Sequence, residues 1–246
     1  MRIAPGIHRL GDGRVNAYLI EEAGMVTIID AAMPGYWTDL PAELLAMGRS
    51  LDDIRAVVLT HGHTDHIGFA ERLRSERRVP VSVHELDEAL ALGKARNPAG
   101  LGKASIWPLL QFLFLGLRRG GLRPTFLAEV STFGDGATLD VPGSPRVTLV
   151  PGHSPGSATL HVASRDALFI GDALATYSVT TGRRGPQIAP FSQDPDQALS
   201  SLDRLDEVEA GLVLPGHGEP WTDGVQEALR QVRATQRRAE RVGAAD

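Results

Sequence analysis

Thr60-His61-Gly62-His63-Thr64-Asp65-His66-Ile67 follows the apolar run Arg55 to Thr60 and gathers three imidazoles and a carboxylate into one short turn. An imidazole binds a borderline metal through one ring nitrogen, and a carboxylate can bind one metal or bridge two. An irregular turn can aim His61 and His63 at one point, while Asp65 and His66 turn toward a second point beside it. Each point still lacks a donor. His153, Asp172 and His217 supply candidates. His153 completes the first trio, His217 the second, and Asp172 is left to bridge the pair, with room for water.

The surroundings of these residues are alike. Arg146 to Val150 precedes Pro151-Gly152-His153, Ala167 to Ile170 precedes Gly171-Asp172, and Leu212 to Leu214 precedes Pro215-Gly216-His217. Short apolar, β-branched runs stopped by Gly or Pro read as buried strands. Strands that each end in a metal-binding side chain point to one shared sheet edge.

The ordered set His61-x-His63-x-Asp65-His66, Gly152-His153, Gly171-Asp172 and Gly216-His217 resembles the metallo-β-lactamase superfamily, with matching order from Tyr18 to His217. The resemblance implies an α/β (α+β) fold, an αββα sandwich of two mixed β-sheets with outer helices and the site along one edge. It also implies that Asp30, ending the run Met25 to Asp30, supports the site from behind the ligands. A turn or helix-capping role for Asp30 is compatible with that. His8 and His84 read as surface residues. His161, alternating with Leu160 and Val162, faces the opposite side of its strand from them.

At 246 residues and 42% hydrophobic, the chain is long enough for one well-buried domain over 1–246. The net charge of −5 argues against a nucleic-acid-binding face. There is no cysteine, so disulfides and thiolate metal sites are excluded and every ligand must be nitrogen or oxygen. The first ten residues lack the apolar core of a secretory signal, and the expected location is cytoplasmic.

Periodicity places a hairpin at Val15 to Glu21 and Met25 to Asp30, then helices near Trp37 to Met47 and Ile67 to Arg77 and a strand at Pro80 to Val83. A strand-rich stretch runs from Thr125 to Gly171, with helices at Pro195 to Leu205 and Val225 to Arg238. The segment at about 92–125 carries Ile106-Trp107-Pro108-Leu109-Leu110-Gln111-Phe112-Leu113-Phe114-Leu115-Gly116-Leu117, too short to span a membrane, which needs about 20 residues. It reads as a helical insertion that walls the site and offers apolar surface to a small-molecule substrate, with Trp107 a contact. An interfacial helix without stable membrane insertion and a homodimer contact are the alternatives. After Asp172, Tyr177 to Gln187 is a second loop within reach, where Tyr177, Arg183 and Arg184 are candidate substrate contacts.

The expected cofactors are two divalent metal ions, zinc first, with iron, manganese or cobalt accepted by the same donors. The expected reaction is hydrolysis: a metal-bridged hydroxide attacks the carbonyl of a lactone, ester or thioester, with Asp65 both ligand and catalytic acceptor orienting the nucleophile. The ligand set looks like glyoxalase II enzymes and acyl-homoserine lactonases more than the class with a cysteine ligand. Only 29 residues, 218 to 246, follow His217 where glyoxalase II enzymes add a helical region for glutathione, and Ala175 stands where lactonases often carry tyrosine. The alternative is a persulfide dioxygenase-like oxidoreductase holding one iron on His61, His153 and Asp172.

Overall fold

The computed structural model describes residues 1–96, 98, 100 and 104–243, with side chains through Thr235. The expected insertion at 92–125 therefore falls partly outside the described residues, at Asn97, Ala99 and Leu101 to Lys103.

The chain opens with four antiparallel strands, β1 (Arg2–Ala4), β2 (Ile7–Gly11), β3 (Asn16–Glu22) and β4 (Met25–Ile29). The last two form the expected hairpin, turning on Ala23 and Gly24 at φ +50° and +82°, as a two-residue hairpin turn requires. Helix α1 (Leu40–Ala46) leads to β5 (Ile54–Val58), and α2 (Ala70–Arg77) to β6 (Val81–His84). Next come α3 (Glu88–Ala91), α4 (Ile106–Arg118) and β7 (Ser131–Phe133). These seven strands form one sheet in chain order, in which β4 to β7 run parallel.

A second sheet has the order β13, β10, β9, β8, built from β8 (Arg146–Leu149), β9 (Ala158–Val162), β10 (Ala167–Gly171) and β13 (Leu212–Pro215). A small ladder pairs β11 (Ala175–Tyr177) with β12 (Arg184–Gln187). Helix α5 (Pro195–Ser201) begins on the Asp194 carboxylate, which accepts from Gln197 N–H at 2.9 Å, with Pro195 in its first turn. Helix α6 (Val225–Gly243) closes the described chain.

Three apolar layers show how the pieces stack. Leu19, Ile28 and Val57 join a core with α1 and α2, whereas their neighbours Ile20, Ile29 and Val58 face Val147, Leu160, Phe169 and Leu214 between the sheets. From the second sheet Leu168, Ile170 and Val213 point the other way, onto Leu202, Leu205, Leu229 and Val232 beside and within α6. Side chains alternate across a strand, so a strand apolar at consecutive positions must be covered on both faces. Helix, sheet, sheet, helix is the αββα order expected.

Two small corrections concern the histidines set aside. His8 is buried and bonds through Nδ1 to Glu43 on α1, and His84 is buried at the end of β6, its Nδ1 accepting from Leu86 N–H. Each sits in a strand that a covering element overlies, which local polarity does not reveal. His161 is half-buried between buried Leu160 and Val162, as alternation requires.

Candidate metal centre

Strands β4 and β5 are parallel, and β8, β10 and β13 share one direction through the antiparallel strand β9, so their carboxyl ends meet at one edge of the sandwich. Open sheets with parallel strands place ligands there. Thr60 O accepts from Ala158 N–H at 2.9 Å, joining the two sheets beside the first histidine.

All seven candidate donors converge at this edge. His61, His63 and His153 form one group, Asp65, His66 and His217 a second, and Asp172 a third with His61 and His66, with the donor atoms of each group within 4.8 Å of one another. Asp172 Oδ2 lies 3.4 Å from His153 Nε2, 3.6 Å from His66 Nε2 and 3.0 Å from His217 Nε2, so one carboxylate reaches both trios. His217 Nε2 is also 3.5 Å from Asp65 Oδ2.

The rings are turned so that their donor nitrogens face the centre. His66 Nδ1 lies 2.9 Å from Asp30 Oδ2, and His61 Nδ1 lies 3.0 Å from Thr60 Oγ1, whose own hydroxyl donates to Asp30 Oδ2 at 2.8 Å. His153 Nδ1 lies 3.1 Å from Ser192 Oγ, which donates to Ala189 O, and His217 Nδ1 meets Arg14 O. These partners favour the proton on Nδ1 and leave Nε2 with its lone pair inward. His63 differs, with its Nδ1 2.9 Å from His153 Nε2. His61 Nε2, His66 Nε2 and Asp172 Oδ1 are buried with no hydrogen-bond partner, which is costly for polar atoms unless a cation meets them. The nitrogen and oxygen donors thus fit a pair of divalent cations.

Electrostatics divide the rings. Burial, reinforced by neighbouring rings, holds His61 and His153 well below the usual imidazole range, and burial lowers His63 as well. At His66 and His217 burial is again the largest single influence and lowers them, but the carboxylates together exceed it, Asp172 with Asp30 at His66 and Asp172 with Asp65 at His217, and both are raised. Burial would raise Asp172, yet His217 and His66 hold it well below the usual carboxylate range. A cation entering such a site replaces protons.

Asp30 follows β4 at φ +60°, a conformation that asparagine and aspartate adopt more readily than most residues. Its carboxylate also accepts from Thr60 N–H at 2.8 Å, so it braces two of the candidate donors at once. Gly216 leaves the space the centre needs: a Cβ there would lie 2.3 Å from Asp172 Oδ1 and 2.5 Å from His66 Cε1.

Sequence reasoning missed three residues that hold these loops. Asp87, buried just before α3, accepts from Gly62 N–H at 2.8 Å, Ser154 Oγ at 2.6 Å and Gly156 N–H at 2.7 Å, tying the first histidine turn to the His153 loop. Asn16 Nδ2 and Tyr18 Oη donate to Pro215 O at 3.0 and 2.8 Å, fixing the start of the His217 loop. No spacing signal distinguishes Asp87 from an ordinary turn aspartate.

A chamber of about 420 Å³ opens beside the centre. His63, Thr64 and Asp65 form its floor and Phe112, Leu113 and Gly116 of α4 one wall, facing Met33, Leu90, Leu122, Phe126 and Phe191. Arg96 adds a basic group to its lining. Trp107 is not among the lining residues and stands 75% exposed at the start of α4. Tyr177 and Arg184 line a separate polar cavity of about 410 Å³ with Asp12, Arg14 and Glu219, and Arg183 donates to Thr235 Oγ1 on α6 at 2.8 Å. The expected second contact loop thus borders a different cavity, whereas the Phe112 and His217 rings meet in a T-shaped pair at 6.2 Å between centroids.

The metallo-beta-lactamase superfamily model matches residues 10–217. A probable metallo-hydrolase of Bacillus subtilis, YflN, is 29% identical over 237 residues, covering 89% of this chain and 86% of that protein. Among solved structures, the metallo-beta-lactamase family protein TTHA1429 of Thermus thermophilus superposes with a TM-score of 0.70 at 27% identity, covering 98% of this chain and 83% of that one. TTHA1623 in a di-iron-bound form has a TM-score of 0.61 at 28% identity, covering 87% and 93%.

Proposed function

Because the chain belongs to the metallo-β-lactamase superfamily, we propose that it is a dinuclear metal-dependent hydrolase of small lactones, esters or thioesters bearing an apolar acyl group. The observation that carries the reading is Asp172, whose single oxygen Oδ2 stands within 3.6 Å of ring nitrogens from both trios. His61, His63 and His153 would hold one cation, Asp65, His66 and His217 the other, with Asp172 between them. Zinc is the first candidate, and iron the second, since TTHA1623, a structural relative at 28% identity, has a di-iron-bound form. Two such cations supply hydroxide at neutral pH and polarise a carbonyl.

The chain's own residues do the rest. Asp65 faces the chamber and accepts a hydrogen bond from the attacking oxygen, orienting it toward the carbonyl. Asp30, through His66 and through Thr60 to His61, keeps the donor nitrogens aimed. Phe112, Leu113, Leu122 and Phe126 take the acyl group and exclude water from it, leaving the reacting carbonyl at the polar floor.

The mononuclear-iron oxidoreductase reading uses His61, His153 and Asp172 and gives Asp65, His66 and His217 no task. Their convergence as a separate group favours the hydrolase. Elemental analysis of protein grown with both zinc and iron, followed by a panel of lactones, esters and thioesters, tests the proposal. About two metal ions per chain with turnover of one of these classes is expected. A single iron with oxygen consumption on persulfides would replace the hydrolase with the oxidoreductase.

A further inference from the structure

Although its net charge is −5, the chain contains no acidic residue from Ala89 to Ala128, where it carries Lys94, Arg96, Lys103, Arg118, Arg119 and Arg123. Helix α4 lies within this basic stretch. Its inner side is committed, with Leu115 in the core beneath the first sheet and Phe112 facing the chamber. Its outer side exposes Ile106, Trp107, Leu110, Phe114 and Leu117, each at least 50% accessible. Positions 106, 110, 114 and 117 share one helical face.

Exposed cations belong to the same stretch, one of them beside the ridge. Arg118 places its guanidinium 5.8 Å from the Phe114 ring centroid, and Arg123, Lys94 and Arg96 are exposed nearby in sequence. Arg119 is the exception, held over the Tyr36 ring and paired with Asp39. Leu113, Leu122 and Phe126 are exposed and also line the chamber, so the ridge is continuous with the chamber mouth.

Contiguous apolar surface rimmed by polar residues marks a site that something covers. Charge selects the occupant. A two-fold contact with a second copy would set this basic rim against itself, since such an interface uses one patch twice. A layer of anionic headgroups over hydrocarbon matches both the rim and the ridge. No helix among the described residues is long and apolar enough to cross a membrane, and the 13 residues of α4 fit a helix lying in the interface.

We propose that α4 docks this protein peripherally on anionic lipid bilayers, its apolar ridge in the headgroup region, its basic flanks against lipid phosphates and the chamber mouth facing the bilayer. The surface does not depend on the hydrolase reading.

Vesicle flotation of the full chain tests it, using equal parts phosphatidylglycerol and phosphatidylcholine against phosphatidylcholine alone at about 0.1 M salt. Binding to the mixed vesicles is expected to be at least ~10-fold tighter than to phosphatidylcholine and to weaken sharply at about 1 M salt. Leu110→Glu with Leu117→Glu should lose at least ~10-fold of that binding with an unchanged melting temperature, because both side chains already face water. Arg118→Glu with Arg123→Glu should abolish the preference for anionic lipid. No binding to mixed vesicles, or full binding by both double variants, overturns the proposal. So does a chain that ignores vesicles and instead forms a dimer in sedimentation velocity that Leu110→Glu with Leu117→Glu disperses.

Discussion

At the sheet edge His61, His66, His153, Asp172 and His217 are almost wholly buried, and each of these rings has its outer nitrogen bonded to protein. Across the chamber α4 buries only Leu115 and Gly116 and exposes much of its apolar surface. One wall is overdetermined, so that moving any of these rings breaks the bond that orients it. The other is held by a few contacts along one side of a helix. The contrast separates what the molecule can do from what it can do it to. Chemistry that needs fixed distances sits on strand ends, and selection by shape and apolarity sits on an element that tolerates change.

Substitutions on the two walls should differ in kind, and the largest effect belongs to the carboxylate shared by the trios. Asp172→Ala is expected to lower metal content from about two ions to one or fewer and hydrolysis by more than ~10³-fold, measured by elemental analysis and initial rates. Retention of both ions would remove Asp172 from the bridging position. Gly216→Ala tests the same wall without replacing a donor, because its methyl group would push Asp172 and His66 aside. Metal affinity should fall about 10–100-fold in chelator competition while circular dichroism stays native.

Asp87→Asn should be milder. The amide keeps one acceptor oxygen where three donors now converge on two, so the expected loss is about 1–3 kcal/mol in chemical denaturation, with weaker metal binding. A variant as stable as the parent would show that the loops are held by other contacts. On the opposite wall Phe112→Ala should leave metal content unchanged and raise KM for long acyl substrates about 10-fold relative to short ones. An equal loss for both lengths would mean that Phe112 acts through His217 and not on the acyl group. The smallest effect is expected at Leu110→Ala, within about 0.5 kcal/mol of the parent, since the side chain is half exposed.

The two walls also differed in how much could be read from residues alone. Strand-ending histidines and aspartates announce themselves, because short apolar runs closed by Gly or Pro have few other readings, and all seven converge. The hairpin, the α5 start and the double-sided burial of β4 and β5 followed from turn chemistry and patterning. Asp87, Asn16 and Tyr18 did not, since their importance lies in partners 25 to 202 residues away that local pattern does not encode. His8 was misplaced for the same reason, its partner Glu43 lying on α1, and His84 because nothing local shows that Phe133 of β7 meets its ring. Arg183 and Trp107 sit in segments that reach the right neighbourhood, but which way a side chain leaves a helix or loop is decided by packing. Arg183 found Thr235 and Trp107 found solvent.

The split of the seven candidate donors between the two sheets has a consequence for how the molecule is made. Four arrive by His66, whereas the last, His217, lies 156 residues after His61. At ribosomal speeds of about 5–20 residues per second the nascent chain carries the first four for roughly 8–30 s before the final strand is available. On the proposed reading, an ion captured early would be held by an incomplete set, exchangeable until β13 inserts beside β10. The identity of the metal in the newly made protein would then reflect which ion is abundant when that last strand closes.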